Sequence, residues 1–318
     1  MAILTLISRR LAAALVLLGV LSVLTYGLLV ASPGGPEQVL LGNRPSTAET
    51  RAAIRAEYHL DDPFPLRYAR WLGDAVRGDF GISIYSREPV VDVIADRLPV
   101  TAGLAGYALL ITVAVGVPVG LVAAMGRGGT LDQGITLTSL VLLAVPPFAL
   151  SILLLYGFAV TLGWFPVFGA GETPMERISH LTLPAIALAA AQAAMVVRQM
   201  RAAALDLAGQ DFLTFAKARG LPRRRIWIGY ALRNAALPVL TVGGLLLAAN
   251  LTGALFVEQA FGLHGLGALL IGAVGQKDIP VVQALVLFGG AIVVAVNLLI
   301  DLAYLVVDPR VRHGAVAS

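Results

Sequence analysis

Apolar runs and polar stretches alternate along the chain. The apolar runs at residues 11–31, 101–125, 135–162, 181–197, 235–256 and 281–307 predict six helical spans, since a helix needs about 20 apolar residues to cross a bilayer. The first run exceeds the roughly 7–15-residue core of a cleaved signal peptide, so it is read as a retained span. The third is interrupted by Pro146 and Pro147. A proline pair at mid-span frees backbone groups that neighbours or water must satisfy, so it marks a kink facing protein or a cavity, which either shapes a pathway or is only a packing kink. Asp301 is the one ionisable side chain inside a predicted span. A charge there costs a few kcal/mol, so it must face protein, water or a partner. It is either part of an ion or proton relay lining the pathway or an anchor bonded to backbone or Tyr304. A single carboxylate makes no relay chain, which favours the anchor.

The polar stretches are unequal. Residues 32–99 form the longest, opening with the turn sequence SPGGP. Within it, 47–58 predicts a short helix. Residues 65–76 mix Leu66, Tyr68, Trp71 and Val76 with Arg67, Arg70 and Asp74, a pattern suited to the membrane interface or to packing on the spans. Tyr68, Trp71 and Phe80 either meet a bound molecule on the outer face or form the core of a small outer subdomain; the core is the preferred reading. The second notable stretch, 206–233, is a basic island between spans, with Lys217, Arg219, Arg223, Arg224, Arg225 and Arg233 against Asp206 and Asp211. Phe212, Phe215, Ala216 and Arg219 recur at helical spacing, Gly220 supplies a break, and Pro222 suits the first turn of a second helix. Arg223 to Arg225 also suit anionic headgroups, at about 1 kcal/mol per cation.

Composition agrees with a membrane protein: 58% of the 318 residues are hydrophobic and 13% charged, against roughly 25% charged in soluble domains. There is no cysteine, hence no disulfide framework or thiol nucleophile. His59, His180, His264 and His313 are scattered without ligand spacing, so no metal site is expected. The net charge of +4 is not gathered on a soluble surface. With both termini in the cytoplasm, inner segments carry 13 cations against four acids and outer segments ten against 14, as the positive-inside rule demands.

The island sequence FAKARGLPRRRI followed by ALRNAALPVL resembles the cytoplasmic loop of binding-protein-dependent ABC importer permeases, in the form found in the dipeptide/oligopeptide/nickel permease family. The resemblance extends to HLDDPFPLRYARWLGDAVRGDFGISI in the outer stretch, and to VEQAFGLHGLGALLIGAV, DIPVVQALVLF and NLLIDLAYLVVDPRVR near the end. Two positions depart from the pattern: the generic loop's first glutamate is absent, and His264 stands where proline is common. The resemblance implies an all-α fold, a six-transmembrane-helix ABC importer permease bundle with an extracytoplasmic loop subdomain. It divides the chain into a head and first span (1–31), the outer loop subdomain (32–99) and the core bundle (100–318), which carries the coupling loop 206–233. It also implies that Phe215, Ala216, Lys217, Ala218, Arg219, Gly220 and Leu221 dock on an ATPase subunit. The expected partners are a second, related permease subunit, two ATP-binding subunits, an extracytoplasmic substrate-binding protein and the lipid of the cytoplasmic membrane, with no nucleic acid. The large loop after the first span marks the first of the family's two permease types.

No G-x-x-x-x-G-K-[ST] phosphate loop occurs. The chain is therefore expected to be no enzyme and to carry no cofactor, with ATP and Mg on the partner ATPases driving alternating access. Peptide is the default cargo; nickel chelate, glutathione or another small solute are the alternatives within the family. A secondary transporter is the rival of a different class, but it calls for several intramembrane polar groups and an inverted repeat, neither of which the sequence displays. A membrane protease would need a nucleophile and a base within reach at mid-membrane depth; Ser139 and Ser151 have no such partner in the pattern.

Overall fold

A computed structural model describes residues 2–31, 35–41, 47–57, 59–208, 219–220, 222, 242–250 and 254–307. The helices are α1 (Ala2–Ala31), α2 (Gly35–Leu41), α3 (Ala48–Glu57), α4 (Phe64–Val76), α5 (Val90–Met125), α6 (Thr130–Ala144), α7 (Pro147–Leu154) with a π-helical continuation Leu155–Thr161, α8 (Pro174–Ala208), α9 (Leu255–Ala260), α10 (Leu266–Gly275) and α11 (Ile279–Val307). Residues 242–250 are also helical. The chain forms two units, Met1–Thr101 with His264–Ala295, and Ala102–Leu263 with Val296–Ser318.

In the first unit, the end of α1 buries Ser22, Tyr26 and Leu29 at helical spacing while Leu24 and Leu28 stay exposed. Tyr26 and Leu29 meet Leu40 of α2, Ile54 of α3 and Ile84, with Tyr68 and Trp71 of α4 packed alongside. A second cluster joins Val90 and Ile94 of α5 to Leu266 of α10 and Val281 and Leu285 of α11. Gly265 offers no side chain to cap α10. Thr101 does so instead, its Oγ1 accepting from the Leu266 N–H at 2.8 Å, which satisfies one of the orphan donors of a helix start.

In the second unit, α6 and α7 both pack on α8, and α9 packs on α7. α5 approaches α8 closely through Gly116 and Gly120: a Cβ at Gly120 would lie 2.6 Å from the Val197 carbonyl oxygen, and one at Gly116 would lie 2.8 Å from Val196. These two glycines form the G-x-x-x-G spacing that lets membrane helices touch backbone to backbone.

The spans expected from the apolar runs differ from the helices at their ends. α5 begins at Val90 rather than Thr101 and runs through Pro99, because Val90 and Ile94 are held in the second cluster and packing offsets the hydrogen bond that proline removes. α8 begins at Pro174 and extends to Ala208. The third span is two arms, 130–144 and 147–161, at 99° to one another. Each arm is about 22 Å long at 1.5 Å per residue, short of the roughly 30 Å hydrocarbon core.

Candidate functional site

The break between the arms is built by its proline pair. Val145 is extended, and Pro146 follows with ψ 141° as the cap of α7 while Pro147 takes the first helical position, where its missing N–H is no loss. The Leu150 N–H donates back to the Pro146 carbonyl at 3.1 Å, and the Ser151 hydroxyl to the Pro147 carbonyl at 2.8 Å. Pro146 and Pro147 are exposed, and beside them Phe148 of α7 meets Phe256 of α9 with ring centroids 6.4 Å apart. Asp301 lies on α11, with its side chain outside the described residues. One residue earlier, Ile300 fills the space left by Gly244.

The same unit holds a polar pair that the sequence reading did not single out. The Gln192 Nε2 of α8 donates to the side-chain Oδ1 of Asn250. The Gln192 Oε1 and Asn250 Nδ2 atoms are buried without partners among the described residues.

An ion pair with both oxygens engaged joins α6 to α8 beside the turn between α5 and α6. Arg201 of α8 reaches Asp132 of α6 with two parallel bonds, Nε to Oδ1 at 2.6 Å and Nη2 to Oδ2 at 2.7 Å. Oδ2 also accepts the N–H of Gly128 at 2.9 Å, whose φ of +78° suits glycine. Fork-on-carboxylate geometry of this kind fixes orientation as well as charge. It ties the α5–α6 turn to the stretch of α8 that precedes the basic island. Asp132 and Arg201 are among the charges counted for the inner segments, a count that does not pair them.

Of the seven residues expected to dock on an ATPase, Arg219 and Gly220 lie within the described residues; Phe215, Ala216, Lys217, Ala218 and Leu221 lie outside them. Arg219 and Gly220 form an exposed turn, and Gly220 has φ +74°, the left-handed backbone that a glycine break requires.

Tyr68, Trp71 and Phe80 all sit in the first unit. The Tyr68 hydroxyl shares a 2.7 Å hydrogen bond with Ser22 of α1, and Tyr26 gathers Phe64, Tyr68 and Trp71 with centroids 5.1–5.7 Å away. Phe80 packs on the second cluster. Trp71 and Phe80 also line a cavity of about 540 Å³.

Residues 116–313 match the family described as binding-protein-dependent transport system inner membrane component, and residues 3–105 match its N-terminal membrane component. The chain is 36% identical over 313 residues to the oligopeptide transport system permease protein AppB of Bacillus subtilis, covering 96% of this chain and 98% of that one. It is 38% identical over 311 residues to a protein of Brucella abortus whose name includes peptide transport system permease protein, covering 97% and 99%. Among solved structures it resembles a chain of the MetNI methionine ABC transporter in an inward-facing form, with a TM-score of 0.54 and 16% identity over 68% of this chain and 96% of that one, a likeness of fold. With both matches and near full-length similarity in hand, the chain belongs to the binding-protein-dependent transport system inner membrane components, as a multi-pass membrane permease.

Proposed function

We propose that this chain is the permease subunit of an ATP-driven importer that moves peptides across the cytoplasmic membrane by alternating access. The observation that carries the reading is its similarity, over nearly the full length of both chains, to permeases named for peptide and oligopeptide transport. The chain works beside a second, related permease, two ATP-binding subunits and an extracytoplasmic binding protein, with both termini in the cytoplasm. Phe215 to Leu221 is the element on which an ATPase pushes, and the exposed left-handed turn at Gly220 supports placing the break there. The Asp132–Arg201 pair holds the preceding end of α8 so that a push is passed on rather than absorbed. In the pathway, Pro146 and Pro147 shape the broken span, while Asp301 anchors α11.

The test is ATPase activity of the co-purified complex in lipid, stimulated by peptide-loaded binding protein. Gly220→Pro, which cannot adopt φ +74°, and Ala216→Glu should abolish stimulation or ATPase retention while leaving the permease folded. If no ATPase co-purifies with the wild type and neither substitution alters transport, a self-sufficient transporter is the better account.

A further inference from the structure

The cavity in the first unit is not accounted for by transport. Its wall includes Tyr26 and Leu29 of α1, Leu60, Arg67 and Trp71 of α4's side, and Pro280 at the start of α11. Its other charged side chains have partners, although Asp79 is bonded to a neutral N–H and keeps its negative charge. Arg70 pairs with Asp62, Asp74 lies 3.5 Å from Arg77, and Asp79 accepts the Gly81 N–H at 2.9 Å. Arg67 differs: its Nε is buried and has no hydrogen-bond partner. That single N–H, kept from water and without an acceptor on a side chain that is otherwise half-buried, is matched to an oxyanion, a phosphate or a carboxylate.

Depth indicates where that phosphate comes from. Tyr26 and Leu29 lie in the last turns of α1, which ends at Ala31, so the cavity stands where hydrocarbon gives way to headgroups. Tyr26 and Trp71 there are the aromatic residues that favour this level. Apolar surface flanks the cavity's own helices: Leu24 and Leu28 on α1 and Phe64 and Leu66 on α4 are exposed, as acyl chains would require and a water-soluble anion would not. A volume of about 540 Å³ lies within the range of small-ligand sites, about 300–1,000 Å³.

We propose that this cavity seats the headgroup phosphate of a membrane phospholipid, with Arg67 as its buried donor and the exposed faces of α1 and α4 as the bed for its chains. The site stands on depth and on Arg67, and does not depend on which cargo is carried; only the assignment to the outer leaflet follows from the proposed topology. Peptide carboxylates share the fork chemistry of phosphate, so the experiment must separate them.

The purified importer complex is titrated with dioctanoyl phosphatidylglycerol under native mass spectrometry, with dioctanoyl glycerol, trialanine and inorganic phosphate as comparisons. Saturable binding of the phospholipid is expected, with none of dioctanoyl glycerol. Arg67→Gln should weaken it about tenfold, the loss of one charge-assisted hydrogen bond, while Arg67→Lys, which keeps the charge without the fork, should retain part of it. Should Arg67→Gln fail to fold, the partial loss in Arg67→Lys carries the test. Undiminished binding in the variants, or equal binding of dioctanoyl glycerol, overturns the proposal. Displacement of the lipid by trialanine or by inorganic phosphate at comparable concentration also overturns it, and makes the cavity a peptide or a free-anion site respectively. None of these outcomes bears on ATPase coupling, so this proposal and the importer reading fail separately.

Discussion

Asp278 shows how one side chain holds the first unit's polar loop in place. Its carboxylate accepts from the Ser83 hydroxyl at 2.5 Å and from the N–H groups of Ile84 and Tyr85 at 3.1 and 3.2 Å, and the residue is only 3% exposed. Five residues on, Gln283 donates to the Thr25 carbonyl of α1 at 3.1 Å. The Asp-x-Pro-x-x-Gln run at the start of α11 is thus a staple that fastens both the 83–85 turn and the end of α1. Replacing a buried carboxylate acceptor by an amide leaves at least one donor facing another donor, and hydrogen bonds to charged groups contribute about 1.5–3 kcal/mol. Asp278→Asn should therefore destabilise the first unit by about that amount. It should read as a lower unfolding temperature of the detergent-solubilised protein and faster proteolytic cutting between residues 83 and 88. An unchanged melting curve and digestion pattern would show that the staple is ornamental. Nothing in the sequence announces these bonds, because Asp278 and Ser83 are 195 positions apart and each alone reads as an ordinary loop residue.

At the scale of the element, the apolar runs made the first, second, fourth and sixth spans and the broken third legible but not their ends, while much of the fifth, 235–256, lies outside the described residues. Composition changes where the lipid stops, whereas a helix stops where its backbone hydrogen bonds stop. α5 and α8 continue beyond the apolar stretch because Val90 and Ile94 have buried neighbours and because Arg201 on the extended α8 has Asp132 to grip. The α5–α8 contact was readable in principle from the spacing of Gly116 and Gly120; the partner helix was not, since glycine spacing does not name what it packs against. The proline pair was legible as a break, but its angle of 99° was not, since an extended residue and two prolines name no single angle. That angle is measurable, since the chain has no native cysteine and spin labels can be placed freely. Labels at Leu137 and Tyr156, both exposed, should lie on the order of 20 Å apart across the bend. In a Pro146→Ala, Pro147→Ala variant that straightens the span they should separate to nearly 30 Å, from the helical rise of 1.5 Å per residue. An unaltered distance would mean that packing on α8, and not the prolines, sets the angle.

For the molecule as a whole, the decisive quantity is which end of each helix meets the cytoplasm. The proposed coupling needs the 206–233 island inside and the 32–99 stretch outside, an arrangement for which charge is the argument: 13 cations against four acids on one side and ten against 14 on the other. The long first loop weighs less in that rule, since long loops translocate largely regardless of their charge, so the island, the α5–α6 turn and the tail carry the inference. Sidedness also decides whether the phospholipid cavity belongs to the outer leaflet. Two exposed positions report it: His59 at the turn before α4 and Arg219 at the glycine break. In right-side-out membrane vesicles, a membrane-impermeant maleimide should label His59→Cys at once and Arg219→Cys only after permeabilisation. In inside-out vesicles the two should exchange. Equal labelling of both from one face would place the island and the outer subdomain on the same side of the bilayer. An ATPase could then not push at Gly220 while a binding protein delivers cargo opposite, and the importer mechanism would fail at its first geometrical requirement.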